Sequence, residues 1–109
     1  MFARVTELAS AYRPELEKDL RYFEDEILPK AEEIPGMSGG LVLLDRAGGR
    51  ALAVTLWADD EALEQSREEA DTLRELAFQR MNLASAPVVR EYEVAVARLT
   101  RPVRPARTA

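Results

Sequence analysis

The chain has 109 residues, 47% apolar and 32% charged, with 20 acids against 15 bases and a net charge of −5. That length supports one domain with one core, and the composition is globular rather than disordered or membrane-spanning. With no Cys and no His, disulfide frameworks, Cys/His zinc sites, thiol nucleophiles, Ser-His-Asp triads and His-ligated haem are excluded.

Residues 2–9 open with a strand: Phe2, Arg4, Thr6 and Leu8 alternate with Ala3, Val5 and Glu7, the period-2 pattern of a half-buried element. Pro14 stands at the tolerated first turn of a helix. Leu16, Leu20, Phe23, Ile27, Ala31 and Ile34 then recur at steps of three and four, forming one apolar stripe. The opposite face carries Glu17–Arg21, Arg21–Asp25 and Glu26–Lys30 one helical turn apart. Such pairs are worth about 0.2–0.5 kcal/mol each and read as a solvated face rather than a site. Pro29 denies the Asp25 carbonyl its donor, which predicts a kink, and Pro35-Gly36 ends the element.

Two apolar runs follow, Leu41–Leu44 and Ala51–Trp57, joined by Asp45-Arg46-Ala47-Gly48-Gly49-Arg50 as a hairpin with a longer loop. Asp59-Asp60-Glu61 supplies the cap and first-turn acids of a second helix. Its inner row is Leu63, Ser66, Ala70, Leu73, Ala77 and Met81, with Asn82 and Pro87 bracketing its end. A last strand from Val88 to about Leu99 sends Val88, Arg90, Tyr92, Val94 and Val96 to one face and Val89, Glu91, Glu93, Ala95, Ala97 and Leu99 to the other. Residues 100–109 hold three arginines and no acid, a local +3 that leaves −8 on the first 99 residues. They read as a flexible basic tail.

The order β-α-β-β-α-β over residues 1–99 predicts an α+β, ferredoxin-like fold with a four-stranded antiparallel sheet. Two helices cover one sheet face, yet the central hairpin is apolar on both, so the expected partner is a second copy, packed sheet to sheet as a homodimer. The acidic body argues against nucleic acid. No apolar run approaches the roughly 20 residues of a membrane helix, and the N-terminus lacks a signal-peptide pattern, so no membrane partner and a cytoplasmic location are expected.

The arrangement resembles the dimeric α+β barrel superfamily, specifically antibiotic biosynthesis monooxygenase-like domains. The residues carrying the resemblance are Leu28-Pro29, Ile34-Pro35-Gly36-Met37-Ser38-Gly39, the Asp45-Arg46…Gly49-Arg50 hairpin, and Val54-Thr55-Leu56-Trp57-Ala58-Asp59-Asp60-Glu61-Ala62-Leu63. The last is the most specific: a strand ending in Trp, a short acidic cap, then Glu-Ala-Leu. The likeness covers residues 2–99 and implies a small-molecule site between sheet and helices. The superfamily hosts cofactor-free oxygenases, haem-degrading enzymes and isomerase-like proteins. The haem branch places a proximal His on the second helix, and residues 60–82 hold neither His nor Trp. The resemblance therefore implies no cofactor, and a small aromatic ligand held by Trp, Tyr and Arg; Trp57 matches the family's Trp, while no Asn matches.

Trp57 is then either a wall of an aromatic-ligand pocket with its indole N–H as donor, or a core residue packing the second helix. Tyr92, Tyr22, Phe23 and Phe78 line the same cavity if the last strand turns its even face to the helices; otherwise they are core or interface. Ser66 and Ala70 make the middle of the second helix's inner row small, either for close packing or for a cavity opposite Trp57. Arg4 and Arg90 either neutralise an anionic ligand such as a phenolate or, as ordinary structural arginines, lie at a sheet edge or pair with Glu7, Glu91 or Glu93. Glu91 and Glu93 share one strand face and read as salt-bridging to a partner chain or facing water, and Gly39-Gly40 and Gly48-Gly49 belong to strand entry and hairpin rather than a phosphate loop. As an enzyme, Trp57 and Tyr92 would hold an electron-rich aromatic while Arg4 or Arg90 stabilises its anion. The competing reading is a non-catalytic dimeric binding or interaction module.

Overall fold

The computed structural model describes residues 1–98 and Thr100. Strands β1 (Phe2–Ala9), β2 (Met37–Asp45), β3 (Arg50–Trp57) and β4 (Val88–Glu93) form one antiparallel sheet in the order β2-β3-β1-β4. Between β1 and β2 run a 3-10 turn (Arg13–Glu15), helix α1 (Leu16–Tyr22), a π-helical segment (Phe23–Ile27) and α2 (Leu28–Glu32); α3 (Asp60–Gln65) and α4 (Arg67–Arg80) join β3 to β4. The β-α-β-β-α-β order is the ferredoxin-like arrangement, with the helices on one face.

Register decides which side chains meet the helices. Arg4 lies opposite Thr55, Thr6 opposite Ala53 and Leu8 opposite Ala51, and this set faces α1–α4. Phe23, Ile27, Leu8, Ala51, Ala53, Ala77 and Met81 form the main core cluster. Burying a side chain such as Phe23 or Ile27 contributes about 1.5–3 kcal/mol. The other face of the hairpin carries Leu41, Leu43, Leu52, Val54 and Leu56. Leu41 is 48% exposed and Leu43 50% exposed, so the two-sided apolar pattern does leave an uncovered apolar face.

The structure departs from the sequence expectations in five places. The kink at Pro29 is realised as the π segment upstream of it, where the Leu28 amide bonds the Phe23 carbonyl. Widening the helix there moves backbone away from the proline ring, which otherwise clashes with the carbonyl four residues back. The second helix is interrupted at Ser66. Strand β2 begins at Met37, four residues earlier than the apolar run, with an irregularity inside it between Met37 and Gly39. A Cβ on Gly40 would lie 2.9 Å from the Val54 carbonyl, so this non-periodic stretch is glycine for close pairing. Strand β4 stops at Glu93, because its pairing partner β1 starts at Phe2 opposite it. Finally, of the three expected ion pairs on the first helix, Glu26–Lys30 forms, at 3.9 Å, whereas Glu17 reaches across to Arg46. Leu99 and the expected flexible tail, Thr100 apart, lie outside the described residues.

Asp19 braces the far end of the sheet. It is 6% exposed, and its two carboxylate oxygens accept from the Asn82 amide at 3.1 Å and the Ser10 hydroxyl at 3.4 Å. Gly36, at φ +87°, passes so close to α3 that a Cβ would sit 2.4 Å from that of Ala62. The Asp59 carboxylate caps α3 through the Ala62 amide at 2.8 Å, as its sequence position implies.

Candidate functional site

The second residue-in from the start of β1 on its helix-facing side is Arg4, and it is 3% exposed. A buried guanidinium requires acceptors, and three elements supply them. Its Nε and Nη2 donate to one Glu91 carboxylate oxygen at 3.2 and 2.9 Å. Nη2 also donates to the Leu63 carbonyl at 3.0 Å and Nη1 to the Ser66 hydroxyl at 3.0 Å. The Ser66 hydroxyl in turn donates to the same Leu63 carbonyl at 2.7 Å. That carbonyl would serve residue 67 in an unbroken helix, and its diversion explains the break between α3 and α4. The guanidinium also lies 5.2 Å from the centre of the Trp57 ring, within cation–π range.

Glu91 bridges inside and outside. Its second oxygen accepts from Arg67 at 2.8 Å, and Glu91 retains 26% side-chain exposure while Arg67 retains 53%. The hydrogen bond from Arg67, joined by Arg4, holds the Glu91 carboxyl below the usual carboxylate range. Burial pulls Arg4 down from its ordinary value and its bond to Glu91 pushes back up; Arg67 is raised by Glu91. Both arginines remain cations.

Beside Arg4 lies a cavity between sheet and helices, lined by Thr6, Leu8, Ala53, Thr55 and Trp57 from the strands and by Phe23, Ile27, Leu28, Ala31, Ile34, Ala70, Leu73, Arg74 and Ala77 from the helical side. It offers about 60 Å³, where one water needs about 10–15 Å³. There is room for a body of about four to six non-hydrogen atoms. Trp57, 1% exposed, forms a wall, but its indole N–H donates to the Thr55 hydroxyl at 3.0 Å, so it is spoken for.

The structure brings together Trp57, Arg4, Phe23 and Ala70, with Ser66 holding Arg4 from behind. It does not bring Tyr92 and Arg90 to them. Those residues pair with Ala3 and Val5 of β1, the positions facing away from the helices, and Tyr92 is 51% exposed on the open sheet face. Tyr22 packs half-buried against the main core, and Phe78 is 46% exposed on the outer side of α4. Of the expected acid partners of Arg4, Glu91 is the one that pairs with it, and Glu91 also bonds Arg67 within the chain rather than a partner chain or water alone. Arg74 was not anticipated. Its only sequence signal is its place next to Leu73 of the inner row.

No family model matches the chain. Among curated proteins it is 28% identical over 80 residues to Rv2557 and 30% identical over 77 residues to Rv2558, both uncharacterised proteins of Mycobacterium tuberculosis. Those alignments take in 73% and 71% of this chain, which spans about a third of the length of the relatives (35% and 32%). Among solved structures, it superposes on the ActVA-Orf6 monooxygenase of Streptomyces coelicolor in complex with nanaomycin D with a TM-score of 0.71 at 16% identity, over 92% of each chain. The haem degrader MhuD of M. tuberculosis with two haems bound gives 0.68 at 17% identity, over 89% of this chain and 98% of that one. A dimeric ferredoxin-like protein from an uncultured marine organism gives 0.66 at 16%, over 91% and 99%. The chain shares with these solved structures the ferredoxin-like fold, a β-α-β-β-α-β order with a four-stranded antiparallel sheet.

Proposed function

We propose that this domain binds a small molecule in the cavity between sheet and helices, with cofactor-free oxidation of an electron-rich aromatic as its reaction class. The observation that carries the reading is a buried cation, Arg4, set against the Trp57 ring on the wall of a mostly apolar cavity. A fixed positive charge in a water-poor pocket favours the phenolate over the phenol, and the anion is the form that gives an electron to dioxygen. Trp57 supplies a flat wall rather than a hydrogen bond. A monocyclic phenol slightly exceeds the resting cavity, and the π segment, which contributes Phe23 and Ile27 to the wall, is the part of the lining least bound by regular helix geometry. Likeness to the monooxygenase that binds nanaomycin D supports the same reaction class. The test is oxygen uptake with catechol and with a dihydroxyanthracene. Loss in Trp57→Phe and Arg4→Met, both checked for folding, supports the reading; uptake unchanged by either substitution removes these residues from it.

We further infer that two copies pack open face to open face. Leu41, Leu43, Val88 and Tyr92, each about half exposed, form an apolar surface beyond what scattered single residues make. Sedimentation at micromolar concentration reads a dimer if this holds and a monomer if it does not. The second functional reading, a non-catalytic module whose unit is that dimer, draws on the small size of the cavity. It gains if neither phenol consumes oxygen or perturbs Trp57 fluorescence.

A further inference from the structure

The geometry points to a compact monocarboxylate with an apolar body as the ligand class of the helix–sheet cavity, its anion held between Arg4 and Arg74. This rests on the reading of that cavity as a ligand site and names the charge and size of what enters it.

Among the described residues, the lining carries two guanidiniums, Arg4 and Arg74, and no carboxylate. In a chain of net charge −5, that is a local inversion placed on an inward surface. The acids that neutralise these cations lie off the cavity wall: Glu91 is shared between Arg4 and Arg67, and Asp71, 72% exposed, takes Arg74 from the solvent side. Arg74 is also close enough to Arg4 for the two charges to repel, adding to the downward pull on Arg4. An anion between them relieves that repulsion, and a neutral ligand does not.

Arg4 retains a donor for it. A guanidinium has five N–H groups, and four hydrogen bonds are formed, one from Nε, one from Nη1 and two from Nη2. The second Nη1 hydrogen has no acceptor among the described residues. Arg74 makes one side-chain bond, to Asp71, and its side chain is 20% exposed. Apart from the hydroxyls of Thr6 and Thr55, the second of which already accepts from Trp57, the rest of the lining is mostly hydrocarbon, chiefly Phe23, Ile27, Leu73, Ala53, Ala70 and Ala77. It suits a short branched or straight aliphatic body and gives a second polar group almost nothing to bond. The volume limits the ligand to about four to six non-hydrogen atoms, the size of a four-carbon acid.

The experiment titrates the full chain with sodium isobutyrate, with isobutyramide as its neutral isostere and with sodium chloride as an ionic control, reading Trp57 fluorescence and calorimetric heat. Catechol is titrated alongside. Saturable isobutyrate binding at least tenfold tighter than isobutyramide, weakened about tenfold by Arg74→Gln and largely restored by Arg74→Lys, supports the assignment. Equal affinity for acid and amide, or isobutyrate binding unchanged in Arg74→Gln, overturns it while leaving the cavity a ligand site. Binding of catechol without isobutyrate likewise overturns it and keeps the earlier reading. Silence from all three organic probes sinks both.

Discussion

Replacing Glu91 with Ala removes the only carboxylate within bonding distance of Arg4 among the described residues. The guanidinium, 3% exposed, then keeps two neutral acceptors and no counter-charge. Breaking a buried ion pair from one side typically costs about 3–5 kcal/mol; Glu91 keeps 26% exposure and water can enter behind it, so the low end, about 3 kcal/mol, applies. Arg4→Met is the milder change. It leaves Glu91 paired to Arg67, leaves the Leu63 carbonyl bonded to Ser66, and fills the guanidinium stem's space with an apolar chain, at a cost of about 1 kcal/mol. The double variant therefore recovers much of what Glu91→Ala loses, because the stranded cation is gone. Urea melts of all four proteins at one fixed concentration measure this, the fixed concentration guarding against a dimer contribution. In a domain of this size the Glu91→Ala loss lowers Tm by about 12–20 °C. Arg4→Met costing as much as Glu91→Ala, or two losses that simply add, would show that the buried charge is not what Glu91 satisfies.

The same carboxylate sets an acid limit. Its pKa is depressed in the folded state, so its contribution is present above its unfolded value, about 4.3, and is lost as pH falls through the lower folded value; Glu91→Gln should flatten the stability–pH curve below about pH 4.5 relative to the parent, and parallel curves would count against it. Asp19→Ala leaves the Asn82 amide and Ser10 hydroxyl without their acceptor and should cost about 1–3 kcal/mol by denaturant melt, whereas a loss below 0.5 kcal/mol would mean water replaces it freely. Gly36→Ala combines a left-handed φ with a 2.4 Å clash against Ala62, and should cost at least about 2 kcal/mol; pairing it with Ala62→Gly should return only the clash portion. Leu43→Glu places a charge in the open apolar face and should convert a dimer to a monomer in sedimentation without reducing helix content.

Fold and site were unequally legible, for a physical reason. Strand alternation in Phe2–Ala9 and the 3–4 stripes through Phe23, Ile27, Ala70 and Ala77 record burial, and burial builds the sheet and its helical cover, so element order could be read from sequence. Strand registers are set across the chain. Whether Tyr92 faces the cavity or the open face depends on β4 meeting β1 with Tyr92 opposite Ala3 rather than one residue along, and a slip of one exchanges the faces. That is why Tyr92 and Arg90 were grouped with Trp57 although they lie on the other side of the sheet. The same register brings Glu91 level with Arg4, a partnership that sequence could name only as one of three. Ser66 reads as a small residue for close packing or for a cavity; its hydroxyl and the helix break around it answer to a side chain 62 positions away, which no local pattern encodes.

These features make Arg4 an expensive choice if folding alone is considered, which fits the proposed ligand site. Well-packed apolar residues in place of a buried ion pair are often neutral or stabilising, and a Leu or Met at this position would face Trp57 and Ala70 without difficulty. Instead the chain gives up a helical hydrogen bond at Leu63, places a serine with 1% exposure in its helix row, and ties Glu91 of β4 between an inner and an outer arginine. The result is a guanidinium fixed in orientation from β1, β4 and the α3–α4 junction, with one N–H of a terminal nitrogen unspent among the described residues, in the wall of a mostly apolar cavity. Structural support of that extent positions a charge for something to meet it. The cavity's opposite wall is the π segment ahead of Pro29, the least regular stretch of the helical layer. If the proposed anion site is occupied, this pairing of a braced charge with an irregular apolar stretch predicts selection by charge ahead of selection by shape.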